Sequence, residues 1–92
     1  MSISFLLYSR SYCHLCDDMR LALVNLDQAR QIPVEIIDVD ADLTLLARYD
    51  ELVPVLMGRR LDGTLLQLCH YFLDIDAVIA FIATSAPAGH PA

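Results

Sequence analysis

The chain has 92 residues, enough for one compact domain and too few for two. Hydrophobic residues make up 57% of it and charged residues 20%, which supplies a core and excludes the signature of disorder. Its formal charge of −6 comes from twelve acidic residues against six arginines, with no lysine, and this argues against nucleic acid as a partner. No apolar run approaches the roughly 20 residues that cross a bilayer, so we expect a soluble protein with no membrane partner.

Hydrophobic periodicity predicts strands and helices in the order βαβ, then a helix, then ββα. Asp62-Gly63 is a strong hairpin signal between the last two strands. Asp40 or Asp42 is expected to cap the second helix, and Asp74 lies near the start of the third. The predicted strands are residues 3–8, 34–39, 54–57 and 64–68, and the predicted helices run from about 15 to 26, 42 to 49 and 74 to 84.

This order predicts an α/β fold with a four-stranded mixed sheet and helices on both faces. It is the plan of a minimal thioredoxin fold. We predict a single domain over residues 1–84. Residues 85–92 are rich in proline and alanine without periodicity, which predicts a flexible C-terminal tail.

Cys13 and Cys16 follow the first predicted strand and open the first predicted helix. In a protein of the reducing cytoplasm, this context is typical of a thioredoxin-like redox motif. Residues three apart on a first helical turn lie close enough for their sulfurs to bond. The helix N-terminus favours the thiolate, so Cys13 is predicted to attack a substrate disulfide and Cys16 to resolve the mixed disulfide.

Other interpretations of the cysteines stay open. Cys13 and Cys16 could form half of a zinc site, but the remaining candidate ligands, Cys69 and His70, are adjacent in sequence and give poor geometry for a closed site. We therefore predict no metal ligands, and Cys69 is most simply a small buried hydrophobe. Asp17 and Asp18 place negative charge near Cys13, which works against its thiolate.

Val53-Pro54 precedes the third predicted strand. A proline is tolerated at the first residue of a strand because no ladder donor is needed there. The alternative is a cis bond beside the cysteines that leaves the Val53 backbone free to pair with an extended substrate. From the sequence alone the trans form is favoured, since most X-Pro bonds are trans.

The stretch Leu7-Tyr8-Ser9-Arg10-Ser11-Tyr12-Cys13-His14-Leu15-Cys16, together with Val53-Pro54-Val55, resembles the small bacterial glutaredoxin-like proteins of the thioredoxin superfamily. The resemblance spans about residues 3–84. It implies a thioredoxin fold, a dithiol site at Cys13 and Cys16, and a cis-proline at Pro54. Substrate contacts are expected from Arg10, Tyr12, Val53 and Pro54.

The sequence departs from well-studied glutaredoxins in three places. His14 and Leu15 replace the proline and aromatic residue between the cysteines, so the reduction potential is open. The stretch Cys69-His70-Tyr71-Phe72-Leu73-Asp74 stands where a Gly-Gly pair helps to hold glutathione. No lysine lies near the site, and Arg10 is the nearest candidate to hold a glutathione carboxylate.

We therefore expect a monomeric, cytoplasmic thiol-disulfide oxidoreductase that reduces protein disulfides or glutathione mixed disulfides. No cofactor is required, and glutathione is a candidate co-substrate. The first alternative is a metal or iron–sulfur carrier that uses Cys13. The second is a non-catalytic binding module that keeps the thioredoxin fold.

Overall fold

The computed structural model describes residues 3–28 and 30–85, and within these ranges it contains four strands and three α-helices. They follow one another in the predicted order. The strands are β1 (Ser4–Ser9), β2 (Val34–Asp38), β3 (Val55–Arg59) and β4 (Leu65–His70). The helices are α1 (His14–Leu26), α2 (Leu43–Tyr49) and α3 (Ile75–Ser85), with a 3₁₀ turn at Val39–Ala41.

The four described strands form one mixed sheet in the order β2-β1-β3-β4. Strand β1 pairs parallel with β2 and antiparallel with β3, and β3 pairs antiparallel with β4. The single parallel pair is the one joined through α1, since a parallel connection needs a crossover. The predicted four-stranded mixed sheet is confirmed.

Each face of the sheet carries its own apolar core, because successive side chains of a strand point to opposite faces. Phe5 and Leu7 of β1 belong to the core that includes buried residues of α1 and α3. Leu6 and Tyr8 belong to the opposite core, where Tyr8 stacks on Tyr49 of α2 with ring centroids 4.7 Å apart. The expectation of helices on both faces is therefore also confirmed.

Aspartate side chains set two boundaries that the sequence left uncertain. The Asp38 carboxylate accepts the Asp40 N–H at 2.9 Å, which turns the chain into the 3₁₀ segment and ends β2 one residue earlier than predicted. Asp42, rather than Asp40, caps α2 by accepting the N–H groups of Thr44 and Leu45. Both carboxylates take backbone donors that a helix start leaves unpaired.

The C-terminal boundary also differs slightly from the prediction. Helix α3 continues through Ser85, the first residue assigned to the tail. The remainder of the predicted tail, residues 86–92, lies outside the described residues. None of the described helices has the length and apolar character needed to cross a membrane.

Candidate active site

A disulfide joins Cys13 to Cys16 at the start of α1, with their Cα atoms 5.2 Å apart. Cys13 is the N-cap residue, and its sulfur accepts the backbone N–H of Cys16 at 3.1 Å. Cys16 is buried with 3% of its surface exposed, whereas Cys13 is half-buried. The more exposed cysteine is therefore the one at the helix N-terminus, where a thiolate is stabilised by N–H donors and by the helix dipole.

Tyr12, the residue before the first cysteine, is directed fully into solvent. Its backbone has φ +60°, a left-handed conformation that non-glycine residues rarely adopt. Its side chain is as exposed as in an open peptide, at 103%. The turn thus displays an exposed aromatic ring at the residue directly before Cys13.

Arg10 holds the same loop to the segment after β2. Its Nη2 lies 3.0 Å from Asp40 Oδ1, and its Nε donates to Asp40 Oδ2 at 3.3 Å. A guanidinium and a carboxylate paired through two contacts satisfy much of each other's charge. Arg10 is thus already engaged within the chain.

Val53 and Pro54 are joined by a cis peptide bond, as the resemblance implies. Pro54 is buried, and its carbonyl accepts the Tyr71 N–H at 2.9 Å. The Val53 backbone is not entirely free, contrary to the expectation from the sequence. Its N–H donates to Tyr49 O at 3.1 Å at the end of α2. Among the described residues nothing donates to the Val53 carbonyl, which is the group able to pair with a substrate.

The segment between β4 and α3 packs beside the first turns of α1. Together they line a groove of about 190 Å³. Asp18 lies at its edge, and Phe72 is 70% exposed. The apolar lining residues are Leu15, Met19, Ala22, Tyr71, Phe72 and Leu73.

Hydrogen bonds fix the shape of this segment. Besides the bond from its N–H to Pro54, Tyr71 donates its hydroxyl to the carbonyl of Glu51 and has φ +64°. The Phe72 N–H donates to His70 O at 2.7 Å. From the sequence, this stretch is recognised only as a bulky replacement for two glycines. No sequence pattern indicates the hydrogen bonds from Tyr71 to Pro54 and Glu51.

Cys69 lies in β4 opposite Leu56 of β3 and is half-buried. Burial raises the pKa of its thiol, an effect opposed in part by a backbone hydrogen bond from Asp74. A neutral thiol in apolar surroundings fits the predicted role as a small core residue. Within residues 3–28 and 30–85, no group of three or more His, Cys, Asp or Glu side chains is placed to hold a metal ion.

The fold and the disulfide at the start of α1 define a small thioredoxin-like protein with a Cys-x-x-Cys site. Residues 4–83 match the model of the glutaredoxin-like domain (DUF836), so the chain belongs to this glutaredoxin-like family. A comparison with curated proteins gave no match.

Solved structures agree with this assignment. The solution NMR structure of protein Ne2328 from Nitrosomonas europaea is 33% identical with TM-score 0.75, covering 88% of this chain and 92% of that one. The X-ray structure of protein XcR50 from X. campestris is 28% identical with TM-score 0.60, covering 91% and 100%. Oxidised mitochondrial thioredoxin 3 from Saccharomyces cerevisiae is 19% identical with TM-score 0.65, covering 90% and 78%, and supports the fold alone.

Proposed function

We propose that the protein is a thiol-disulfide oxidoreductase in which Cys13 is the nucleophile and Cys16 the resolving thiol. The observation that carries the proposal is the Cys13–Cys16 disulfide, with the more exposed cysteine at the N-cap of α1. That position favours a thiolate, the form of cysteine that attacks disulfides. Membership of the glutaredoxin-like family supports the same chemistry.

The reaction starts from the reduced dithiol. The Cys13 thiolate attacks one sulfur of the substrate disulfide, which forms a mixed disulfide and releases the other substrate sulfur as a thiolate that takes up a proton. Cys16 then loses its proton and attacks the Cys13 sulfur. This second step releases the remaining substrate thiol and forms the Cys13–Cys16 disulfide. Two electrons pass from the protein to the substrate.

The surroundings of the disulfide suggest how a substrate is held. Tyr12 presents its ring beside the entering sulfur, and the Val53 carbonyl offers an acceptor to a substrate N–H. Asp40 holds the Arg10 guanidinium through Nε and Nη2, so we assign Arg10 to positioning of this loop. We further propose a monomer in the cytoplasm, where thiols are kept reduced for such chemistry.

Trapping the mixed disulfide tests the two assigned roles. In a Cys69→Ala background, reduced Cys16→Ser is mixed with an excess of a disulfide-linked peptide and analysed by intact mass. We expect one peptide to become attached to Cys13, since the resolving thiol is missing. Cys13→Ser treated in the same way should gain far less peptide, because Cys16 is buried.

Two outcomes would contradict the proposal. Equal labelling of the two variants would show that Cys13 is not the preferred nucleophile. Absence of any mixed disulfide, with metal or colour retained by the purified protein, would favour the metal-carrier alternative.

A further inference from the structure

The groove between α1 and the β4–α3 segment lies along the first turns of α1, the helix whose N-cap is Cys13. Leu15 lies between the two cysteines in sequence, and Met19 and Ala22 follow it at helical spacing along the same face of α1. The other wall is formed by Tyr71, Phe72 and Leu73. A polypeptide whose disulfide reacts with Cys13 would therefore carry its neighbouring side chains to the mouth of this groove.

The groove itself has room for about one side chain, and a larger open depression shares Phe72 and Leu73 with it. Its volume of about 190 Å³ is well below the roughly 300–1,000 Å³ of pockets that enclose small-molecule ligands. Six of its lining residues are apolar, and Phe72 at its rim is 70% exposed. An apolar side chain placed there would cover the aromatic ring and leave water, which is favourable.

Two of the backbone N–H groups beside the groove already have acceptors within the chain. The Tyr71 N–H donates to Pro54 O, and the Phe72 N–H donates to His70 O. At the start of α3 the Asp74 carboxylate accepts the Ala77 N–H at 3.1 Å, so the helix N-terminus carries its own negative charge. The N–H groups of Tyr71 and Phe72 are therefore not available to a substrate carboxylate.

The charged side chains near the site also disfavour the binding of an anion. Asp18 lies in the groove lining, and Asp17 is exposed on the same turn of α1. The Arg10 guanidinium is paired with Asp40. On a chain of net charge −6, a second anion near the disulfide would be repelled, whereas a neutral apolar side chain would not.

We infer that the site selects polypeptide disulfides in which an apolar residue adjoins the reacting cysteine, and that it discriminates against the anionic tripeptide glutathione. This inference rests on the proposed oxidoreductase function and specifies its substrate class. The groove receives the side chain of the neighbouring residue while Cys13 attacks the substrate sulfur. Phe72 is the specificity-determining residue at the rim.

Matched peptides test the selectivity. The probes are the disulfide-linked dimers of Ac-Leu-Cys-Ala-amide, Ac-Ser-Cys-Ala-amide and Ac-Glu-Cys-Ala-amide, together with glutathione disulfide. Reduced Cys69→Ala protein is mixed with each probe in excess, and the initial rate of peptide thiol release gives the second-order rate constant. The leucine and serine peptides differ only in a neutral residue before cysteine, so the intrinsic reactivity of their disulfides is closely matched.

We expect the leucine peptide to react roughly tenfold faster than the serine peptide, the factor that partial burial of one apolar side chain can supply. The glutamate peptide and glutathione disulfide should be the slowest, and their rates should rise with salt as repulsion is screened. Phe72→Ser should reduce the leucine-to-serine ratio to below about threefold, since most of the rim contact is lost. Leu43→Ser is the matched control, because Leu43 is 81% exposed on α2 and should leave the ratio unchanged.

Equal rates for the leucine and serine peptides, or glutathione disulfide as the fastest probe, would overturn the inference while leaving the oxidoreductase function intact. A leucine-peptide rate constant that falls as protein concentration rises would show that a second copy of the chain covers the groove, which also overturns it. Failure to reduce any probe would instead count against the proposed function.

Discussion

Arg10 and Asp40 connect the loop before the cysteines to the turn after β2. The guanidinium of Arg10 reaches both carboxylate oxygens of Asp40, at 3.0 and 3.3 Å. These two segments follow the neighbouring parallel strands β1 and β2, so the pair closes the sheet end at which the disulfide lies. Arg10 therefore joins the loop before Cys13 to the turn after β2.

A double-mutant cycle on Arg10→Ala and Asp40→Ala measures this contact. Both side chains remain more than a third exposed, so we expect a coupling free energy of only about 0.2–1 kcal/mol in urea unfolding. The coupling should shrink at 1 M salt because exposed charges are screened. Arg20→Ala, an exposed arginine on α1, should show no coupling to Asp40→Ala. A coupling that is insensitive to salt would contradict an exposed ion pair.

Gly58 in β3 is required by the close approach of Phe81. A Cβ added at this position would lie 2.6 Å from two atoms of the Phe81 ring. We expect Gly58→Ala to lower the free energy of unfolding by about 1–3 kcal/mol, the usual cost of overpacking a core. Combining it with Phe81→Leu should cost less than the sum of the two single changes.

Gly63→Ala provides the comparison for Gly58. Gly63 has φ +91° in the hairpin turn, and a Cβ added there would meet no atom within 4 Å. We therefore expect Gly63→Ala to lower the free energy of unfolding by roughly 1 kcal/mol through backbone strain alone. Its effect should be additive with that of Phe81→Leu. If Gly58→Ala were also additive with Phe81→Leu, the steric explanation would be wrong.

The half-buried thiol of Cys69 predicts a pH dependence of stability. Burial raises its pKa in the folded protein, so the unfolded chain loses this proton first as the pH rises. The folded protein then holds more protons than the unfolded one, and stability falls with pH above the range where an ordinary thiol ionises, about 8.5. The contribution is fully present below that range and is lost as the pH rises through the folded pKa.

Urea unfolding of the oxidised protein from pH 7 to 10 tests whether stability falls as the pH rises. The Cys13–Cys16 pair has no ionisable thiol while it is a disulfide. The Tyr8 hydroxyl, whose pKa is also raised by burial, is present in both the wild type and Cys69→Ala, so its effect cancels in the comparison. The difference in stability between the wild type and Cys69→Ala should therefore shrink steadily above about pH 8.5. A difference that stays constant, or that grows, would show that the folded state does not disfavour the Cys69 thiolate.

The elements of this fold were predictable from the sequence because each carries a local signal. The β-branched run from Val34 and the Asp62-Gly63 turn need no tertiary information to be recognised. Boundaries were less predictable, since they depend on which side chain takes a backbone donor. Asp38, Asp40 and Asp42 are equivalent in sequence, but only the hydrogen bonds show that Asp38 ends β2 and Asp42 caps α2.

The cysteines of the candidate site were evident from their spacing, whereas its surroundings were not. Arg10 could be identified as a nearby cation, but its pairing with Asp40 joins residues thirty apart. Likewise, the bonds from Tyr71 to Pro54 and Glu51 connect segments that only the sheet brings together. Such long-range contacts have no periodic signature in the chain.

The reduction potential of the Cys13–Cys16 pair tests the central claim most directly. The oxidised and reduced forms are quantified by mass after equilibration in glutathione buffers, with Cys69→Ala measured alongside the wild type. We expect a single two-electron transition between about −270 and −180 mV, the span from thioredoxin to protein disulfide isomerase, and the same value in both proteins. If no intramolecular disulfide forms at any ratio of oxidised to reduced glutathione, the dithiol mechanism is wrong.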